Sequence, residues 1–410
     1  GGSLEAVDQS FNLGQTAAID AIVEYERTVD PVWTNDNPFG LPNVLDEWDG
    51  VKNALLWQIL NSRRPLQAKL LWFWHGHFTT PVSTGGNALF RTQMATWRTH
   101  ANGSFAAFLS AVYKDGAMLR YLNGYANTKT APDENYGREL QELFTLGKEN
   151  NPNYTEDDVK AAARVLTGWR IDFPTGTSNF NTNKHDVTSK QFSSFYGNTV
   201  IAGRSGATAG DAELDDLLNM IFNKSVEVSQ FIVKKIYRWF CYYTIDATAQ
   251  ANVIDPLAQL FRDSNWDIKP VLSALLKSDH FFDPLNRGCV IKSPLELLVE
   301  LCREFNVTFP DSVSEYADAY GMWDFMQNQS TILNQSFGDP PNVSGWPSYY
   351  QVPQFYELWI NSDTLPKRER FTDTLIVTGY SRNGKTLKID PVAFAKKLSN
   401  PGDPNVLLND

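Results

Sequence analysis

Cysteine and histidine are scarce in this chain, with three and five copies in 410 residues. Cys241, Cys289 and Cys302 lack the paired spacing of a zinc finger or a multi-bridge disulfide framework, which excludes both as organising devices. Their apolar surroundings read as buried thiols, with room for a single bridge. No apolar run approaches the roughly 20 residues of a membrane-spanning helix, and no charged-then-apolar leader precedes the first helix. Gly1-Gly2-Ser3 reads as a scar in place of native sequence, so a native leader is expected to have been removed. Runs of lysine or arginine are also missing, and the formal net charge is -11. That balance excludes nucleic acid and anionic membranes as main partners, because both reward basic patches. A glycine-rich phosphate loop, a G-x-S-x-G elbow and an H-E-x-x-H helix are all absent, which removes the commonest nucleotide, serine-hydrolase and zinc-protease readings.

What the chain does have is apolar and aromatic mass. Hydrophobic residues make up 42% and aromatics 13%, with 12 tryptophans, enough for a sizeable core and for exposed aromatic platforms besides. The richest chemistry lies in residues 132–170, PDENYGRELQELFTLGKENNPNYTEDDVKAAARVLTGWR. Pro132 and Asp133 read as a helix start, Leu140, Leu143, Phe144 and Leu146 recur at helical spacing, and Gly147 ends the run. Thr155 with Asp158 predicts a capping box opening a second helix. At about 3.6 residues per turn, Asn135, Glu139 and Glu142 share one face, with Arg138 at its edge. The plain alternative is a salt-bridged flank in which Glu134 and Arg138 form a simple i,i+4 pair.

Elsewhere, amphipathic helical periodicity covers residues 10–27, 46–61, 65–78, 89–101, 104–114, 117–122, 213–222, 225–243, 248–264, 270–278, 294–305 and 316–329, with a last helix at 392–398. Residues 31–42 read as an arm or lid, and residues 338–353 as a rigid proline- and glycine-rich loop around Trp346-Pro347. The fold class expected is all-α, a multi-helix domain whose polar insertion at about residues 171–212 has room for a β-hairpin. The divisions expected are residues 1–45 as an N-terminal helix and arm, 46–371 as one compact helical domain, and 372–410 as a tail.

His75 and His77 are two apart, which on a helix points them roughly 200° from each other, so both could ligate one metal only if the helix ended there. The alternative is that one caps a helix terminus while the other packs in the core. His185-Asp186 reads as either a surface pair or an acid–base or metal element. This inventory of carboxylates, imidazoles, one arginine and many aromatics suits two kinds of site. Paired acids beside indole rings suit glycoside chemistry; the same acids with histidines could hold a divalent cation that activates water.

The stretches DENYGRELQELFTLG and NYTEDDVKAAARVLTGWR resemble the core signature of the bacterial domain of unknown function 1800 family. LLWFWHGHFTT at residues 70–80, AMLRYLN at 117–123, KHD at 184–186, KSPLELL at 292–298, DPPNVSGWP and LWINS agree in order, so the resemblance covers roughly residues 46–371. It implies a mostly helical, exported protein with no settled activity, similar to proteins often encoded beside a sulfatase-like exported partner. The polar positions it carries over are His75, His77, Glu134, Asn135, Arg138, Glu139, Glu142, His185, Asp186 and Trp346. Asp133, Gly137 and Gly76 depart from the usual Asn, Ala and Asn.

The leading expectation is an extracytoplasmic enzyme acting on a polysaccharide or its substituents, a glycoside hydrolase among the candidates. Glu139, Glu142, His75 and Arg138 would be catalytic, while Trp169, Trp346, Asn135, His185 and Asp186 would bind substrate. His77 is the candidate ligand for a divalent metal ion. The second expectation is a non-catalytic secreted or surface protein that binds glycan or the sulfatase-like partner, its polar cluster being a structural network.

Overall fold

The computed structural model describes residues 4–33, 48–147, 153–173, 175–346, 359–398 and 400–405. Residues 1–3, most of the expected arm at 31–42, and Pro347 with the rest of the expected loop to 353 lie outside these. Helices dominate, and the strands form three two-stranded antiparallel sheets among the described residues. The chain divides into two compact units: residues 1–68, 291–338 and 351–410 make the first, and residues 69–290 with 339–350 the second. These boundaries differ from the ones expected at 45 and 371. The first unit is assembled from stretches far apart in sequence, which composition and periodicity do not register.

In the first unit, helices Trp48–Asn61, Pro294–Glu304 and Tyr316–Ile332 bury Leu55, Leu56, Leu298, Trp323 and Met326. Arg303 donates to the carbonyls of Ile59, Leu60 and Ser62 at 3.1, 2.8 and 3.0 Å, satisfying acceptors that the end of helix Trp48–Asn61 leaves open. Ser293 and Glu296 close a capping box at the start of Pro294–Glu304. A hairpin, Tyr380–Arg382 with Lys385–Leu387, stands in the region expected to be a tail.

The core of the second unit is aromatic. Trp74, Phe78, Trp97, Phe105, Phe108 and Phe144 are fully buried and meet in edge-on and stacked pairs such as Trp74–Phe108 at 5.2 Å. Buried phenols find main-chain acceptors: Tyr113 donates to Leu166 and Tyr136 to Val112, each at 2.9 Å. The polar insertion contains two hairpins. β1 (Trp169–Asp172) pairs with β2 (Thr177–Phe180), and β3 (Lys190–Gln191) with β4 (Val200–Ile201). The first starts two residues before the change in composition, because its opening Trp169 belongs to the core.

Candidate functional site

The central helix runs Asn135–Gln141 and then widens into a π-helical turn, Glu142–Leu146. Its residues explain the change of pitch. The Thr145 hydroxyl donates to the Leu140 carbonyl at 2.7 Å, with Gln141 at 3.3 Å, and so occupies an acceptor of the regular ladder. Tyr136, Leu140 and Phe144 are buried on one side, whereas Asn135, Glu139 and Glu142 are half-exposed on the other. Gly137 lies on the packed side, where an added Cβ would sit 3.1 Å from the Ala163 nitrogen, so this departure from alanine matches a close approach of helix Glu156–Val165.

Gly147 ends the turn at φ 73°, where a Cβ would fall 2.4 Å from the Phe231 ring. Left-handed strain and ring overlap act together there. Gly147→Ala is therefore expected to cost about 2–4 kcal/mol in chemical denaturation, and an effect below about 0.5 kcal/mol would contradict this geometry.

The acids are framed by phenols. Tyr154 donates to Glu142 Oε2 at 3.2 Å. The phenols of Tyr121 and Tyr154 are both pushed above their ordinary range, chiefly by burial and further by the charge of Glu139, which places that carboxylate within electrostatic reach of both. Arg138 is engaged by side chains of its own chain at the surface. Its two terminal nitrogens each meet Glu156 at 2.7 Å, and Glu134 accepts at 3.4 Å. The simple i,i+4 pair is thus present beside a stronger bidentate one, and a substrate anion would have to displace Glu156.

The helix Pro65–His77 continues through both histidines, the Phe78 amide still bonding to the Trp74 carbonyl at 2.7 Å. They accordingly point apart. The Lys235 ammonium donates to His77 Nδ1 at 2.9 Å, which leaves Nε2 to donate to the Phe144 carbonyl at 3.2 Å, inside the π-turn. Burial first, and the Lys235 charge second, push His77 well below its ordinary pKa. A metal ion would have to displace an ammonium and break a main-chain bond to reach this ring. Among the described residues no group of three or more His, Cys, Asp or Glu has a metal-binding arrangement. Both His77 nitrogens, one of them the expected metal ligand, are thus engaged within the chain, by Lys235 and by the Phe144 carbonyl.

His75 lies on the opposite side, fully buried, with Trp72, Phe90 and Trp346 around it at 5.4, 5.6 and 5.6 Å between ring centres. Neither ring nitrogen has a hydrogen-bond partner among the described residues. Burial lowers its pKa to about 4, the nearby Asp339 charge opposing. His77, and not His75, is the histidine that touches the central helix.

His185 and Asp186 hold the insertion in place. His185 Nε2 meets Glu213 at 3.0 Å and Nδ1 meets the Thr167 carbonyl at 2.9 Å, while Lys190 and the Arg204 amide also donate to Glu213. Asp186 accepts from Arg164 at 2.7 Å. Burial would raise the Asp186 carboxyl, but hydrogen bonds from Arg164 and Thr188 outweigh it and hold the group at about 2. Trp169 and Trp346 are 4% and 1% exposed, so the expected sugar platforms are core residues. Trp169 packs between Tyr113 and Phe180, and Trp346 against Trp72 and His75.

The structure thus brings Asn135, Glu139 and Glu142 together on one face, and it places His75, His185, Asp186, Trp169 and Trp346 in internal packing or networks. Tyr121, Tyr154, Lys235 and Glu213 were not singled out from sequence, and nothing in their local spacing marks them. A family model described as a protein of unknown function (DUF1800) matches residues 5–404. No curated protein and no solved structure matches the chain.

Proposed function

We propose, from the premise that the chain belongs to the DUF1800 family, that it is an extracytoplasmic glycan-binding protein whose ligand meets Glu139 and Glu142. The observation that carries this reading is the half-exposed face shared by Glu139 and Glu142, with Tyr154 donating to Glu142 and the Tyr121 phenol within electrostatic reach of Glu139, set against the burial of His75, His185, Trp169 and Trp346. Carboxylates accept two hydrogen bonds at once from neighbouring hydroxyls, and phenols donate or stack, which is the chemistry a sugar surface offers. The extracytoplasmic setting is supported by the resemblance to exported proteins.

The placement of the acids favours binding over glycosidic cleavage. A two-carboxylate glycosidase flanks the scissile bond from opposite sides, whereas Glu139 and Glu142, three apart along one helix, approach a ligand from the same side. A hydrolytic role is a second reading, favoured by the π-turn that begins at Glu142, since such turns recur at functional sites.

Calorimetric titration against neutral, uronate-containing and sulfated polysaccharides tests the proposal. Glu139→Gln with Glu142→Gln is expected to weaken binding about 100-fold, the loss of two charge-assisted hydrogen bonds, at an unchanged melting temperature. Release of reducing ends by the native protein, abolished in the double variant, would replace binding by hydrolysis. Unaltered affinity in the double variant would refute the binding reading, and release of reducing ends that persists in it would refute the hydrolytic one.

A further inference from the structure

One of the three thiols, that of Cys289, lies against the main chain of a second cysteine, Cys241, at the end of one helix. Cys241 is the residue after helix Ser225–Phe240, and Cys289 follows the short 3-10 turn Pro284–Asn286. The Cys289 Sγ lies 3.4 Å from the main-chain oxygen of Cys241 and 3.1 Å from that of Asn286. The charge of Cys289 acts on the Cys241 thiol, and both cysteines act on the Tyr237 phenol. Their surroundings are held together independently of sulfur. The Tyr237 hydroxyl and His280 Nε2 are 2.8 Å apart with the rings stacked at 5.6 Å, and the Asn286 amide donates to the His280 carbonyl at 2.6 Å. Residues 280–289 are thereby laid against the last turn of the helix that carries Lys235.

We infer that Cys241 and Cys289 form a disulfide under oxidising conditions, fastening residues 280–289 to the end of helix Ser225–Phe240. Both residues belong to the same compact unit, whereas Cys302 is buried in the other. A Sγ within 3.4 Å of the main chain of the other cysteine puts the two residues close enough for the bridge to be tested directly. The chemistry balances with a small disulfide as oxidant. The half-buried Cys289, as thiolate, attacks one sulfur of oxidised glutathione and expels one glutathione thiolate. Cys241, once deprotonated, then attacks Cys289 Sγ and expels the second. Two protein thiols and one glutathione disulfide become one protein disulfide and two glutathione thiols. Burial raises both protein thiols, Cys241 to about 12, so the reaction should quicken about tenfold per pH unit between pH 7 and 8. The closed loop takes in helices Asp255–Asp263 and Ile268–Lys277. Such a bridge restrains the unfolded chain more than the folded one.

The inference is independent of the glycan reading and is tested on the full chain, reduced, freed of reductant and incubated with oxidised glutathione. Alkylation in denaturant followed by peptide mass analysis should count one remaining thiol, at Cys302, and a linked peptide pair containing Cys241 and Cys289. The oxidised form should melt several degrees above the reduced one, a difference that persists in Cys302→Ser and vanishes in Cys289→Ser. Three free thiols, glutathione retained on Cys289, a linked peptide containing Cys302, or equal melting temperatures would overturn it. The peptide map needs only the native sequence, so a variant that fails to fold does not weaken the test.

Discussion

Glu213→Ala is expected to destabilise the protein by about 3–5 kcal/mol, the largest effect of any single substitution considered. The Glu213 and Lys190 side chains are both 0% exposed and that of His185 is 1% exposed. Removing the carboxylate leaves a lysine ammonium and an imidazole buried without their acceptor, and breaking a buried ion pair from one side costs several kcal/mol even where the intact pair contributes little. Burial by itself would raise the Glu213 carboxyl, but hydrogen bonds from His185, Lys190 and the Arg204 amide hold it below its ordinary range. Urea denaturation checks the magnitude. Limited proteolysis checks the location, because residues 185–204 hang on this network and should become the first site of cleavage. A loss under about 1 kcal/mol would mean that the network is no more than a surface decoration.

His75 carries the second large prediction, and it concerns pH. The folded state holds its pKa near 4 against an ordinary 6.5. Between these values the unfolded chain binds more protons, so the contribution of this residue to stability is full above about pH 6.5 and is lost as pH falls towards 4. The change amounts to roughly 3 kcal/mol. Asp115 acts in the opposite sense across much of the same window. Burial, opposed by hydrogen bonds from Met118 and Gln93, raises its carboxyl from 3.8 to about 7, so its contribution is full at low pH and is lost as pH rises. The raw pH profile therefore mixes the two, and the measurement is a difference. Unfolding free energies of the native protein and of His75→Phe, taken from pH 7 to 4, should diverge steadily, with the variant gaining on the native protein as acid is added. Parallel curves would show that His75 has partners at acid pH that the structure does not give it.

The helices were legible because their signals are local. Thr155 and Asp158 form the capping box their spacing predicts, and the opposed directions of His75 and His77 follow from helical geometry once the helix is seen to run through both. The gathering of Asn135, Glu139 and Glu142 on one face is likewise a matter of period. The roles of the other polar residues depend on contacts that period cannot express. His185 meets Glu213 from 28 positions away, Arg138 turns to Glu156 over 18 positions, and Lys235 reaches His77 over 158 positions. Trp169 and Trp346 look like platforms in a list of residues, but burial is a property of the assembled core. The π-turn was hidden for a different reason: its cause is a single threonine hydroxyl inside a stretch whose apolar spacing is otherwise helical. The division into two units was hidden because the first unit is built from three separated segments.

In the proposed function the Glu139–Glu142 face meets ligand while the buried polar residues hold the fold. Carbodiimide labelling of carboxylates, read residue by residue by mass spectrometry with and without the best-binding polysaccharide, tests it most directly. Protection at Glu139 and Glu142 is expected, with no change at Glu156, Asp186 or Glu213. Protection at other carboxylates with Glu139 and Glu142 still fully labelled would contradict it and move the ligand site elsewhere.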